Sequence, residues 1–255
     1  MLLKTLLARS YVLLVSLAPA WASAGFKIDP IPLVLDGSAR TTEFRVTNTG
    51  KREATLQVEV ARWSQGADGA EQQAPSGEVI VFPEMIRIPP GENRILRAGH
   101  PGGPAEEEKA FRIFLQELPV SSPGVTGIRT TFRFGIPLFV KPARGITDRS
   151  IERAWLKGGV VHAQVRNAGT THVKVRRVTL RGRDAGGGEV LAGEARGWYV
   201  LPGARATFSV ELPEEQCLAA QRLVVGAELA DGSSMAPVAL EVDAAECARP
   251  GAAGR

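Results

Sequence analysis

Ile128-Arg129-Thr130-Thr131-Phe132-Arg133-Phe134-Gly135-Ile136-Pro137-Leu138-Phe139-Val140-Lys141 decides the fold. Its even positions, Ile128, Thr130, Phe132, Phe134, Ile136, Leu138 and Val140, form one side of a period-2 pattern, which is the signature of a β-strand. The odd positions are polar or backbone-permissive, except Phe139. Fourteen extended residues reach roughly 45 Å at about 3.3 Å each, against about five or six residues in an average strand. A small domain seldom needs so long a strand, so we expect one part to build the protein's own core and the other to be offered to another chain.

The same β pattern extends in both directions. Short alternating runs separated by Gly, Pro, Asn and Asp turns fill the sequence from Gly25, with no convincing amphipathic helix. An all-β protein is the economical reading. Phe26 to Leu35 forms a first strand broken by Pro30 and Pro32, which suggests an edge or a strand that switches sheets. Gln65 to Gly77 is patternless and reads as a mobile loop. About seven strands precede the linker Pro142 to Ser150, the number expected of an immunoglobulin-like sandwich. A further set, from Ile151 to Val242, predicts a second, smaller sandwich. The expected division is a leader over 1–24, a first domain over 25–145, a second over 146–247 and a disordered tail over 248–255.

Lys4 and Arg9, the apolar run Tyr11 to Ala18 and the small residues Ala22-Ser23-Ala24 predict a cleaved secretory signal, since the apolar run is too short for a membrane anchor. No later stretch is long enough to span a bilayer as a helix. The chain carries 31 basic against 27 acidic residues; loss of the leader leaves 29 against 27. That mildly basic balance gives no nucleic-acid footprint. The two cysteines of an exported chain predict a disulfide. Cys217 and Cys247 stand fifteen residues either side of Gly232, so a hairpin folded at Asp231-Gly232 places them opposite each other.

Signals of catalysis are missing. His100, His162 and His172 lie beside no nucleophile motif and read as surface or strand histidines. Glu106-Glu107-Glu108 reads as a solvated loop, and Gly186-Gly187-Gly188 lacks the strand–helix setting of a phosphate loop. The expectation is a non-enzyme without cofactor or metal.

Taken in order, Val46 to Gly50, Gln57 to Val60 leading to Trp63, Ile88 to Asn93 followed by Arg97, Phe111 to Pro119 and Ile136 to Pro142 resemble the PapD-like periplasmic pilus-assembly chaperones of the chaperone–usher pathway. Arg166 to Gly169 and Tyr199 to Gly203 extend the resemblance into the second domain. It implies two immunoglobulin-like domains at an angle, with a cleft between them, and a periplasmic location. It also implies that the long strand completes pilin-like subunits lacking a strand, for delivery to an outer-membrane usher. By spacing, the donated residues are Ile128, Thr130, Phe132 and Phe134. The basic pair with which better-known members anchor the subunit's C-terminal carboxylate is missing, because Pro32 and Pro137 fall at those positions. This departure suggests the divergent branch handling archaic or spore-coat-like pilins. A buried carboxylate still needs a cation, and the candidates are Arg112, then Arg133, Arg97 and Lys141. Glu108, Lys141 and Asp231 fall where the family places interdomain ion pairs. The alternative expectations are an exported immunoglobulin-like adhesion or structural module without a client and, third, an enzyme; whether free molecules cap their own strands by dimerising stays open.

Overall fold

The computed structural model describes residues 25–36, 39–66, 68–103, 105–119 and 131–248. The expected leader, Ile128 and Thr130 of the long strand, and most of the expected tail lie outside these residues.

The first sandwich contains β1 (Phe26–Asp29), β2 (Leu33–Leu35), β3 (Thr41–Asn48), β4 (Ala54–Gln65), β5 (Glu71–Pro75), β6 (Ile80–Phe82), β7 (Met85–Ile88), β8 (Asn93–Gly99), β9 (Lys109–Glu117) and β10 (Arg133–Val140). One sheet runs β1-β3-β8-β6; the other runs β2-β10-β9-β4-β5, with β7 also on β4. Alternation sends Phe44, Val46, Leu96 and Ala98 from the first sheet, and Phe111, Ile113, Leu115, Ile136 and Leu138 from the second, into one core.

The prolines between β1 and β2 mark a change of sheet: β1 pairs with β3, whereas β2 pairs in parallel with β10 on the facing sheet. The stretch expected to be a mobile loop instead contains β5, which pairs with β4 from Ala61 to Gln65. Its residues are all exposed, so no buried face imposed an apolar alternation that the sequence would have displayed.

The second sandwich is formed by β11 (Arg149–Lys157), β12 (Val160–Asn167), β13 (Val173–Arg183), β14 (Glu189–Arg196), β15 (Tyr199–Val200), β16 (Arg205–Glu211), β17 (Arg222–Leu229) and β18 (Ser234–Glu241). Its sheets run β11-β12-β16 and β14-β13-β17-β18, with β15 on β13. The linker is strapped to it: Thr170 N–H donates to the Ile146 carbonyl, and the N–H groups of Ala168 and Gly169 donate to that of Asp148.

The two sandwiches share one device. The Asn48 amide donates to the carbonyls of Arg52 and Ile88 and accepts from Gly50 N–H. Asn167 does the same with Thr171, Val200 and Gly169. Each buried asparagine fixes its Asn-x-Gly corner by satisfying backbone groups that burial cuts off from water.

Cys217 and Cys247 form a disulfide. The hairpin of β17 and β18 does turn at Asp231-Gly232, with Gly232 at φ +86°. The cysteines, however, sit beyond its strands, Cys217 on a short helix α1 (Glu214–Ala219) and Cys247 on a 3₁₀ turn, Ala244–Cys247. Both elements depart from the helix-free expectation. At six and four residues, they are too short to display an amphipathic period.

Candidate functional site

Strand β10 belongs to two cores. Ile136, Leu138 and Val140 point into the first sandwich, while Phe139, on the opposite face, is packed with Trp63 and Ala110 against the core of the second. Phe139 stacks on His172 at 3.8 Å between ring centres and lies 5.4 Å from Tyr199 and 5.9 Å from Trp63. The one odd position that broke the sequence pattern is therefore the strand's contact with the other domain.

Towards its N-terminal end, β10 is paired on one side only among the described residues. Strand β9 accompanies it from Arg133 to Val140, whereas β2 begins opposite Leu138. Two backbone bonds set the parity of the ladder. Glu117 N–H donates to the Phe132 carbonyl, and Lys141 N–H donates to the Leu35 carbonyl, both at 2.8 Å. Even residues thus face β9, and odd residues face β2 or, where β2 is missing, an open edge. Arg133 and Gly135 present N–H and C=O groups there, and Pro137 has no N–H to leave unpaired.

The side chains at this end are aromatic. Phe132 and Phe134 lie parallel with ring centres 5.8 Å apart, and Phe26 meets both edge-on at 6.3 and 5.6 Å. Phe134 is half-buried against the first core.

The cationic candidates take different positions. Arg112 alternates with Phe111 and Ile113 on β9, stands opposite Pro137 and is buried on the face turned to the second sandwich. Its guanidinium lies 4.0 Å from the Trp63 ring centre and 5.5 Å from that of Trp198, and it donates to the Glu71 carboxylate at 2.9 Å. Arg133 lies over Phe114 at 3.8 Å and donates to Glu59. Lys141 is exposed just past β10. Arg97 is on β8 of the other sheet, paired with Glu43 at 2.6 Å, so it does not join the group.

The expected interdomain trio does not assemble. Glu108 is buried and does bridge the sandwiches, but its partner is His172, which meets the carboxylate through Nδ1 at 2.6 Å and through its backbone N–H at 3.0 Å. Asp231 is held within the second sandwich by Ser233 and Arg149, and the Ser233 hydrogen bonds are the main reason its carboxyl lies below the ordinary range. His172 is consequently a junction residue and His100 is buried, correcting their reading as surface histidines. His162 stays on its strand, stacked on Trp155, and burial lowers its pKa.

Sequence reasoning missed Glu71, His172 and Trp198. Trp198 is positioned by Gly197, which passes so close to β13 that a Cβ would stand 2.2 Å from the Val175 carbonyl. An aromatic pair after a glycine, Trp198-Tyr199, was the available signal. Among the described residues, no group of three or more His, Cys, Asp or Glu converges as a metal site requires.

Residues 25–145 match the family model described as pili and flagellar-assembly chaperone, PapD N-terminal domain. Comparison with the curated proteins returns no significant match. Among solved structures, the chain is similar to one in the CsuC–CsuE chaperone–tip adhesion subunit pre-assembly complex from archaic chaperone–usher Csu pili of Acinetobacter baumannii. The identity is 20%, covering 72% of this chain and 90% of that one, with a TM-score of 0.51. The CupB2 chaperone of Pseudomonas aeruginosa is 19% identical over 85% of this chain and 100% of its own, with a TM-score of 0.51. The YadV chaperone is 14% identical over 85% and 98%, with a TM-score of 0.54. At these identities the structural likeness is one of fold. The family model, over residues 25–145, places the first sandwich with the PapD N-terminal domain of the pilus-assembly chaperones, and the two-sandwich fold of the chain is similar to that of the solved chaperones.

Proposed function

We propose that this protein is a non-enzymatic periplasmic chaperone that holds an incomplete pilin-like subunit by lending it the open edge of β10, and passes it to an outer-membrane usher. The observation carrying this reading is the division of β10, anchored in two cores from Ile136 onward and, among the described residues, unpaired along one edge from Arg133 to Pro137. A client strand added there gains main-chain hydrogen bonds from odd positions and apolar fit from even ones, the two ingredients of β-augmentation.

Phe132 and Phe134 are the described donor residues; Ile128 and Thr130 continue the same parity in sequence. Each fully buried Ile or Phe contributes roughly 1.5 to 3 kcal/mol before ordering costs. Arg112 is the anchor for the client's terminal carboxylate, supported by its burial beside the donor strand and by the prolines at the family's usual basic positions. Those prolines favour the archaic branch.

Co-expression with an incomplete immunoglobulin-like pilin tests the proposal. A co-purifying complex is expected, lost on Phe132→Asp. A complex that survives this substitution unchanged refutes donor-strand binding, as does uniform hydrogen-exchange protection of 131–135 in the free protein.

A further inference from the structure

Glu71 and Trp198 suggest how the carboxylate site is built, an inference that rests on the chaperone reading above. Four side chains from four segments meet there: Trp63 from β4, Glu71 from β5, Arg112 from β9 and Trp198 from the turn between β14 and β15. Arg112 Nη2 donates to both Glu71 oxygens, at 2.9 and 3.2 Å. The Trp198 indole N–H donates to the same carboxylate at 2.6 Å, across the domain junction. A carboxylate therefore already lies between a buried arginine of one sandwich and an indole donor of the other.

The fit is incomplete. The Arg112 side chain is only 9% exposed, yet its Nε is buried without a partner because Glu71 engages Nη2 alone. A guanidinium presents Nε and Nη2 as a fork suited to two carboxylate oxygens. Glu71 itself is replaceable. It starts an edge strand that, among the described residues, pairs with β4 alone and is exposed throughout, so it is held by less backbone pairing than an interior strand.

We propose that Glu71 is a built-in stand-in for the client's C-terminal carboxylate, and that Trp198, supplied by the second sandwich, is the site's second donor. The free protein thereby keeps Arg112 paired, and a client must displace Glu71 to reach it. An intramolecular competitor at effective concentration C weakens the site's apparent affinity by the factor 1 + C/Kd, so its removal raises apparent carboxylate affinity.

Acetate is the probe, read by the ¹H–¹⁵N resonance of the Trp198 indole in the full chain, with chloride at equal ionic strength as control. Glu71→Ala is expected to give a saturable acetate shift at a lower concentration than the native protein needs. The shift should vanish when Arg112→Gln is added. Glu71→Gln, which keeps an acceptor for both donors, serves if the alanine variant does not fold. Titration of native and variant proteins at the same acetate concentration overturns the proposal, as does the absence of a saturable shift in both Glu71 variants. A protein that titrates as expected, yet binds no incomplete pilin, upholds the carboxylate site and defeats the chaperone reading instead.

Discussion

Replacing Arg133 by proline separates the two edges of β10. The parity of the ladder turns the Arg133 N–H away from β9 and towards the open edge, so its removal breaks no bond within the folded chain. Proline also restricts the preceding residue to extended backbone, which Phe132 requires as it continues the strand. The side chain is lost as well, and Arg133→Ala isolates that part: a cation–π contact with Phe114 worth about 0.5–1 kcal/mol and an exposed pair with Glu59 worth about 0.2–1 kcal/mol. Urea unfolding should therefore find the two variants within about 1 kcal/mol of each other. Binding of an incomplete pilin should separate them. Arg133→Pro leaves a client carbonyl facing a ring carbon, an unmet acceptor costing about 1–3 kcal/mol, or about 5- to 150-fold in Kd beyond the alanine variant. If the proline variant is much the less stable, the parity is reversed. If both variants bind alike, the edge is not donated.

Asn167→Ala removes three hydrogen bonds around a buried corner and should cost about 3 kcal/mol, at about 1 kcal/mol each, seen as a lower urea midpoint at unchanged slope. Reducing the Cys217–Cys247 bridge, which spans 30 residues, should cost about 3–4 kcal/mol and be measurable as the difference between oxidised and reduced unfolding curves. Glu78 is held below its ordinary value of 4.5 chiefly by the hydrogen bond from Lys109, with Arg62 adding to it. A lowered carboxyl pKa contributes stability that is present above the unfolded value and lost as pH falls through the folded one. Glu78→Gln should accordingly lower stability at neutral pH and flatten its further loss below about pH 4.5, leaving the slope on the neutral to alkaline side unchanged.

Much of the fold is written in local alternation. A strand with one face in a core must repeat every two residues, and β3 and β12 do so, whereas β9 and β10 are buried on both faces over part of their length. The switch from β1 to β2 was legible because proline cannot occupy an interior ladder position. What escaped was set by partners distant in sequence. Glu71-Gln72-Gln73 has no buried face to advertise a strand, since β5 is an exposed edge. His172 owes its role to Glu108 and Phe139, and Glu71 owes its role to Arg112 and Trp198, 41 and 127 residues away. Arg112 was legible because its place on β9 follows from the same parity that buries Phe111 and Ile113, whereas the carboxylate that meets it does not.

Pro137 ties these features together. It is an odd residue, so the N–H it lacks would have faced the side where β2 ends, one position before Leu138 meets Leu33. A proline at an even position would have cost a bond to β9. Here the strand loses nothing, and pairing with β2 has no donor by which to propagate towards Gly135. Arg133 then places a charge on the exposed stretch, a feature that discourages indiscriminate edge pairing. An edge closed at one end by β2, open beyond Pro137 and guarded by a cation fits a strand kept for a chosen partner.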